Sequence, residues 1–177
     1  MPERWRDSAG VAIIRRSPAR GALHNALPRK PVLKERPDHH DAELVIKLYE
    51  LRREPVMRES RAAINAKFWP KSYEEFLAVT KADHPLNAPF RQAGSYWEMV
   101  YGMARHGVVH VDFLLDSNGE GLFLFARVHA YVEQYRTIAN PNAFRNAEWV
   151  ATQTEAGKRI FEMFRARVEQ RLAQPTA

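Results

Sequence analysis

At 177 residues with a formal charge of +6 and no cysteine, the chain is long enough for one ordinary domain with a core of its own. It is closed to disulfide frameworks, thiol nucleophiles and cysteine-based zinc sites. No apolar run approaches bilayer length, and the early patch Val11 to Ile14 is too short for a signal-peptide core and runs into Arg15 and Arg16, so the sequence reads as cytoplasmic with no membrane span.

The charge is unevenly spread. Residues 1–40 hold nine Lys and Arg against four Asp and Glu, whereas the rest holds 18 against 17, so the electrostatic case for nucleic acid rests on the front of the chain alone. Pro2, Pro18, Pro28, Pro31 and Pro37 interrupt that stretch, and neither helical nor strand periodicity develops. It reads as a disordered basic tail, with Arg4, Arg6, Arg15, Arg16, Arg29 and Lys30 as candidate nucleic-acid contacts. Trp5 alone is interleaved with these cations, and charge by itself supplies only non-specific attraction, so a solvated extension or an over-long start weighs more.

A helical domain is expected over 41–177. Asp41 to Glu54 carries the stripe Leu44, Leu48 and Leu51, with acids in its first turn and Arg52 and Arg53 in its last. Pro55 breaks or kinks it, and a second helix from Val56 to Trp69 buries Met57, Ile64 and Phe68 before Pro70. Ser72 with Glu75 has capping-box spacing and opens a short helix over 73–81.

The central helix is predicted over 86–107. Phe90, Ala93, Trp97, Val100, Tyr101 and Ala104 recur at three- and four-residue steps, and Tyr96, Met99 and Met103 form a second apolar row. Such a helix belongs inside. Asn87 is the expected N-cap and Gly107 the left-handed terminator. Beyond it, Val108 to Val132 has a rival β-hairpin reading around Asn118-Gly119. Helical steps over a longer span, and a Ser117–Glu120 capping box, favour a short helix followed by one from 119 to 138. Asn142 is expected to cap 143–151, and Thr152 with Glu155 to open a last helix striped by Ile160, Phe164, Val168 and Leu172. The sum is an all-α bundle of six or seven helices.

His39-His40-Asp41, and the set His106, His110, Asp112 and His129, contain residue types that bind metals. Neither has the further ligands that such a site needs, and His129 reads as a core histidine satisfied by a backbone carbonyl. Glu98 lies in a thin polar seam with Arg91 and Arg105. Buried, its carboxylate would need a partner and would carry a shifted pKa; structural ion pairing is the more common outcome. No glycine-rich phosphate loop, nucleophile elbow or dinucleotide fingerprint is present, and no catalytic residue, metal or cofactor is assigned.

The run Leu48-Tyr49-Glu50-Leu51-Arg52-Arg53-Glu54-Pro55, then Phe68-Trp69, Ser95-Tyr96-Trp97-Glu98-Met99 and His106-Gly107-Val108, resembles a family of small uncharacterised bacterial helical proteins, over roughly residues 41–150. The resemblance implies an α-helical fold and a bacterial origin, and brings no activity with it. The function expected first is a non-enzymatic helical interaction module that docks a helix face onto a protein partner or its own copy, through Arg52, Arg53, Arg58, Arg61, Trp69, Trp97 and Glu98. The alternatives are a nucleic-acid-binding accessory protein acting through the tail and, last, a hydrolytic or metal site around Glu98.

Overall fold

Asp38 starts the first helix. Its carboxylate accepts from the His40 and Asp41 amides, and Asp41 accepts in return from the Asp38 amide at 2.8 Å, a reciprocal capping box. The computed structural model describes residues 33–174, and within them the order is α1 (His39–Arg53), α2 (Pro55–Lys67), α3 (Tyr73–Val79), α4 (Asn87–Arg105), α5 (Val111–Asn118), α6 (Glu120–Ile138), α7 (Arg145–Gln153) and α8 (Glu155–Ala173). Among the described residues there is no strand, which settles the hairpin question in favour of helices.

The helices number eight, not six or seven. Two junctions are full breaks: Glu54, with ψ at 140°, ends α1 and lets Pro55 open a separate helix, and Gly107, at φ 70°, turns the chain after α4. The first helix begins at His39 rather than Asp41, and Lys34 before it donates to Asp41 at 3.0 Å.

Helix α4 holds the core together. All six residues of its predicted stripe are buried, as is Tyr96, while Met99 stays 44% exposed and Met103 is half-buried, so its second apolar row only partly leaves water. Around it gather Leu48, Met57, Ile64, Phe68, Phe76 and the apolar face of α6. In α8 the deepest residues are Phe161 and Val168, with Ile160, Phe164 and Leu172 half-buried, a stripe rotated from the expected one.

Several caps differ from expectation. Asn87 is buried inside α4, where its Nδ2 donates to the Val79 carbonyl at 3.0 Å and satisfies the end of α3; Leu86 occupies the N-cap without a side-chain bond. The Ser117–Glu120 box does not form, since Glu120 reaches Arg61 instead. Thr154, not Thr152, caps α8, by accepting from the Gly157 amide at 3.0 Å. Phe144, not Asn142, precedes α7, in the left-handed region at φ 53°.

Asp41 is fully buried and joins distant segments. Its Oδ1 accepts from the backbone of His110, 69 positions away, at 2.9 Å, and so ties the start of α1 to the start of α5. Burial pushes its pKa up, but the Asp38 amide, Lys34 and the His110 amide outweigh that and hold it below the ordinary aspartate value.

Two helical glycines contrast. At Gly121 of α6 a Cβ would sit 2.7 Å from both Trp97 and Tyr101, so α6 reaches α4 only because that side chain is missing. At Gly94 of α4 a Cβ would meet nothing within 4 Å. Gly121→Ala is therefore expected to cost about 1–3 kcal/mol through overpacking, and Gly94→Ala to stabilise by about 0.5–1 kcal/mol by removing a helical glycine. Urea unfolding of both variants checks the opposite signs.

Candidate functional site

Arg127 stands alone as a cation within the apolar run from Leu122 to Val132 of α6, and it is only 3% exposed. Its position makes sense only from the end of α2, where the Ile64 carbonyl, which also accepts from the Phe68 amide, and the Phe68 carbonyl just beyond the helix offer acceptors. The guanidinium donates through Nη1 to the Ile64 carbonyl at 2.9 Å and the Phe68 carbonyl at 3.3 Å, and through Nη2 to Asn65 Oδ1 at 2.9 Å. A cation at this end also meets the negative pole of the α2 dipole. Burial lowers its pKa to about 10, so the side chain remains charged at neutral pH.

Two rings enclose that charge. The guanidinium carbon lies 4.2 Å from the ring centres of both Trp69 and Phe123, which meet edge to face. The Trp69 indole is itself oriented by donating to the Asn65 carbonyl at 3.1 Å. From α8, one turn apart, Arg167 covers Phe123 at 5.4 Å and Arg171 covers Trp69 at 5.5 Å. The result is an open cleft of about 560 Å³ walled by Asn65, Trp69, Phe123, Arg167, Gln170 and Arg171. Among the described residues, none of the three arginines here has a carboxylate within ion-pair distance. Such a cleft can take a carboxylate or phosphate in a forked geometry and hold an apolar neighbour against the rings.

Of the seven residues expected to bind a partner, Trp69 alone lines this cleft. Arg52 donates to the Ser117 carbonyl at 3.0 Å and covers Tyr49, as Arg53 does from 5.8 Å. Arg58 is exposed on α2. Arg61 forks onto Glu120. Trp97 is 3% exposed and belongs to the core. Arg4, Arg6, Arg15, Arg16, Arg29 and Lys30 lie outside the described residues.

Glu98 is a cap rather than an ion pair. Its Oε2 accepts from the Asn146 amide at 3.0 Å and its Oε1 from the Ala147 amide at 2.8 Å, which satisfies the start of α7, where Phe144 offers no side-chain acceptor. Asn146 answers by donating to the Glu98 carbonyl at 2.9 Å and accepting from Arg105 at 3.2 Å. Burial pushes the Glu98 pKa up, against the two amides and the more distant Arg136 and Arg105.

Glu98 also lines an open groove of about 570 Å³ along α4, whose floor is Phe90, Tyr135 and Phe144. Among the described residues no three His, Asp or Glu side chains are grouped to hold a metal ion. His110 caps α5 by accepting from the Phe113 amide, His106 ends α4, and His129 contacts the Ala126 carbonyl at 3.0 Å, the backbone partner expected of it.

Residues 37–154 match the family described as Domain of unknown function (DUF4760). The chain belongs to the DUF4760 family. No curated protein and no solved structure matches it. The α4 groove lies wholly inside the DUF4760 region, whereas the basic cleft is completed by α8, beyond it.

Sequence reasoning missed Arg127, although a lone arginine in an apolar helical run was its visible signal. Arg127→Ala should lower stability by about 2–4 kcal/mol through lost charged hydrogen bonds and stacking, and Arg127→Lys should restore less than half, because an ammonium cannot fork or lie flat between rings; guanidinium unfolding measures both.

Buried Asp41 and half-buried Glu98 should respond oppositely to pH. Asp41, with a lowered native pKa, contributes stability above its unfolded value of about 3.9 that is lost as pH falls through the native value; Glu98, with a raised one, contributes stability below about 4.3 that is lost as pH rises through its native value. Asp41→Asn should therefore flatten the acid loss of stability and Glu98→Gln steepen it, as read from unfolding free energies between pH about 3 and 7.

Proposed function

We propose that this chain is a non-enzymatic interaction module of the bacterial cytoplasm, which docks an acidic segment of a partner protein in the cleft between the end of α2 and α8. The observation that carries the reading is the set Arg127, Arg167 and Arg171 arranged on Trp69 and Phe123 without a carboxylate at ion-pair distance among the described residues. Cations on half-buried aromatic walls, with the amides of Asn65 and Gln170 beside them, combine the residue types that dominate binding hot spots with a charge that selects the partner. The lack of cysteine suits a reducing compartment.

The test compares the full-length chain with its Arg167→Ala/Arg171→Ala variant, each with and without nuclease treatment, as bait in lysate of the source cell. Both arginines are exposed, so the variant should fold normally. The expected result is an acidic protein retained by the wild type, released by salt, and at least about tenfold depleted on the variant. Equal capture by both baits, or material recovered only without nuclease, would overturn the reading, the second in favour of nucleic acid bound elsewhere.

A further inference from the structure

The groove along α4 is independent of the basic cleft, and it contains a residue the fold does not require. Gly94 sits mid-helix, where glycine is less stable than alanine. Its φ is not positive, and a Cβ would meet nothing within 4 Å. Neither backbone conformation nor packing explains the glycine; it lines the groove and leaves that volume open.

A second observation marks the same place. Phe144, on the opposite wall, is the one non-glycine among the described residues with positive φ, a conformation that bulky side chains avoid. The conformation is held from several sides: Arg136 donates to the Ala143 carbonyl at 2.9 Å, Glu98 fixes the next two amides but one, and the Phe144 ring packs 6.1 Å from both Phe90 and Phe125.

The polar groups are arranged by the helix repeat. Arg91, Ser95 and Glu98 line the groove from successive turns of α4, so a cation and a carboxylate stand seven residues, about 10 Å, apart along one face. An extended three-residue chain spans about that distance. We infer that the α4 groove is a binding site for an amphoteric molecule of tripeptide length with an aromatic or apolar middle, its acid end at Arg91, its ammonium end at Glu98 and its body over Phe90, Tyr135 and Phe144. Each Glu98 oxygen accepts one amide and keeps a second lone pair for the ligand. An ammonium beside this carboxylate offsets the burial that raises its pKa.

The test uses the full-length chain and three probes at millimolar concentration: Gly-Phe-Gly, its N-acetylated form and its C-amidated form, followed by amide chemical shifts. The expected result is saturable shifts at Gly94, Ser95 and Ala143 with the free peptide, and about tenfold weaker binding for each blocked form. Gly94→Leu, which fills the groove and gains helix propensity, should keep or raise the melting temperature and abolish the shifts. Arg91→Gln should bind the free and C-amidated peptides equally. No shift with any probe, equal binding of free and blocked peptides, or undiminished binding by a folded Gly94→Leu protein would overturn the proposal.

Discussion

A helix end that is buried leaves amides or carbonyls beyond the reach of water, and here the ends of α5, α6 and α7 that meet α4 are satisfied by its side chains. Glu98 of α4 accepts the first amides of α7. Tyr101, also of α4 and fully buried, donates to the Asn118 carbonyl at 2.9 Å and accepts from the Leu122 amide at 3.0 Å, so one hydroxyl serves the end of α5 and the start of α6. Tyr96 reaches the Leu48 carbonyl of α1 at 2.6 Å. Burial raises the pKa of both tyrosines, which keeps both hydroxyls protonated and able to donate at neutral pH. Each bond requires α4 to lie close to its neighbour; the ends of α5, α6 and α7 lose a partner if α4 moves, whereas the Leu48 carbonyl lies within α1.

The same principle explains why the two candidate sites stand where they do. Arg127 closes the end of α2 and, in doing so, places a permanent charge behind Trp69 and Phe123. Those rings become a surface that favours cations on one side and, through Arg167 and Arg171, anions beyond them. Glu98 closes the start of α7 and so places a carboxylate on the wall of the α4 groove. In both cases the charge at the candidate site belongs to a group that caps a neighbouring helix, which gives it a fixed position.

The two surfaces differ in chemistry as well as place. The cleft is cationic and partly built by α8, outside the DUF4760 region. The groove has an aromatic floor and both signs of charge, and every residue of it lies within the family's span. Gly94 and Phe144 bear on the groove alone, since neither the mid-helix glycine nor the left-handed phenylalanine does anything for the cleft.

The all-α class, the helix order and the buried stripe of α4 were legible in the sequence, because helical periodicity, proline breaks and short-range caps such as Ser72 are decided within a few residues. Gly107 turned left-handed as its position predicted. Glu98 stood out as a carboxylate that would need a partner if buried, with structural ion pairing the expected outcome, yet its partners are the backbone of α7, 48 and 49 positions on, rather than a nearby arginine. Arg127 went unread because its acceptors are carbonyls 59 and 63 positions away, and a carbonyl has no residue type to recognise. Trp97 looked like an interface residue and is core, since an aromatic stripe has the same composition in either role. Residue order alone carried the helical class, the order of the helices and the main buried stripe of α4. Only the tertiary structure decided which helix ends meet which side chains, and therefore where charge and open volume remain, because those bonds depend on the distance between helices and not on the order of residues within them.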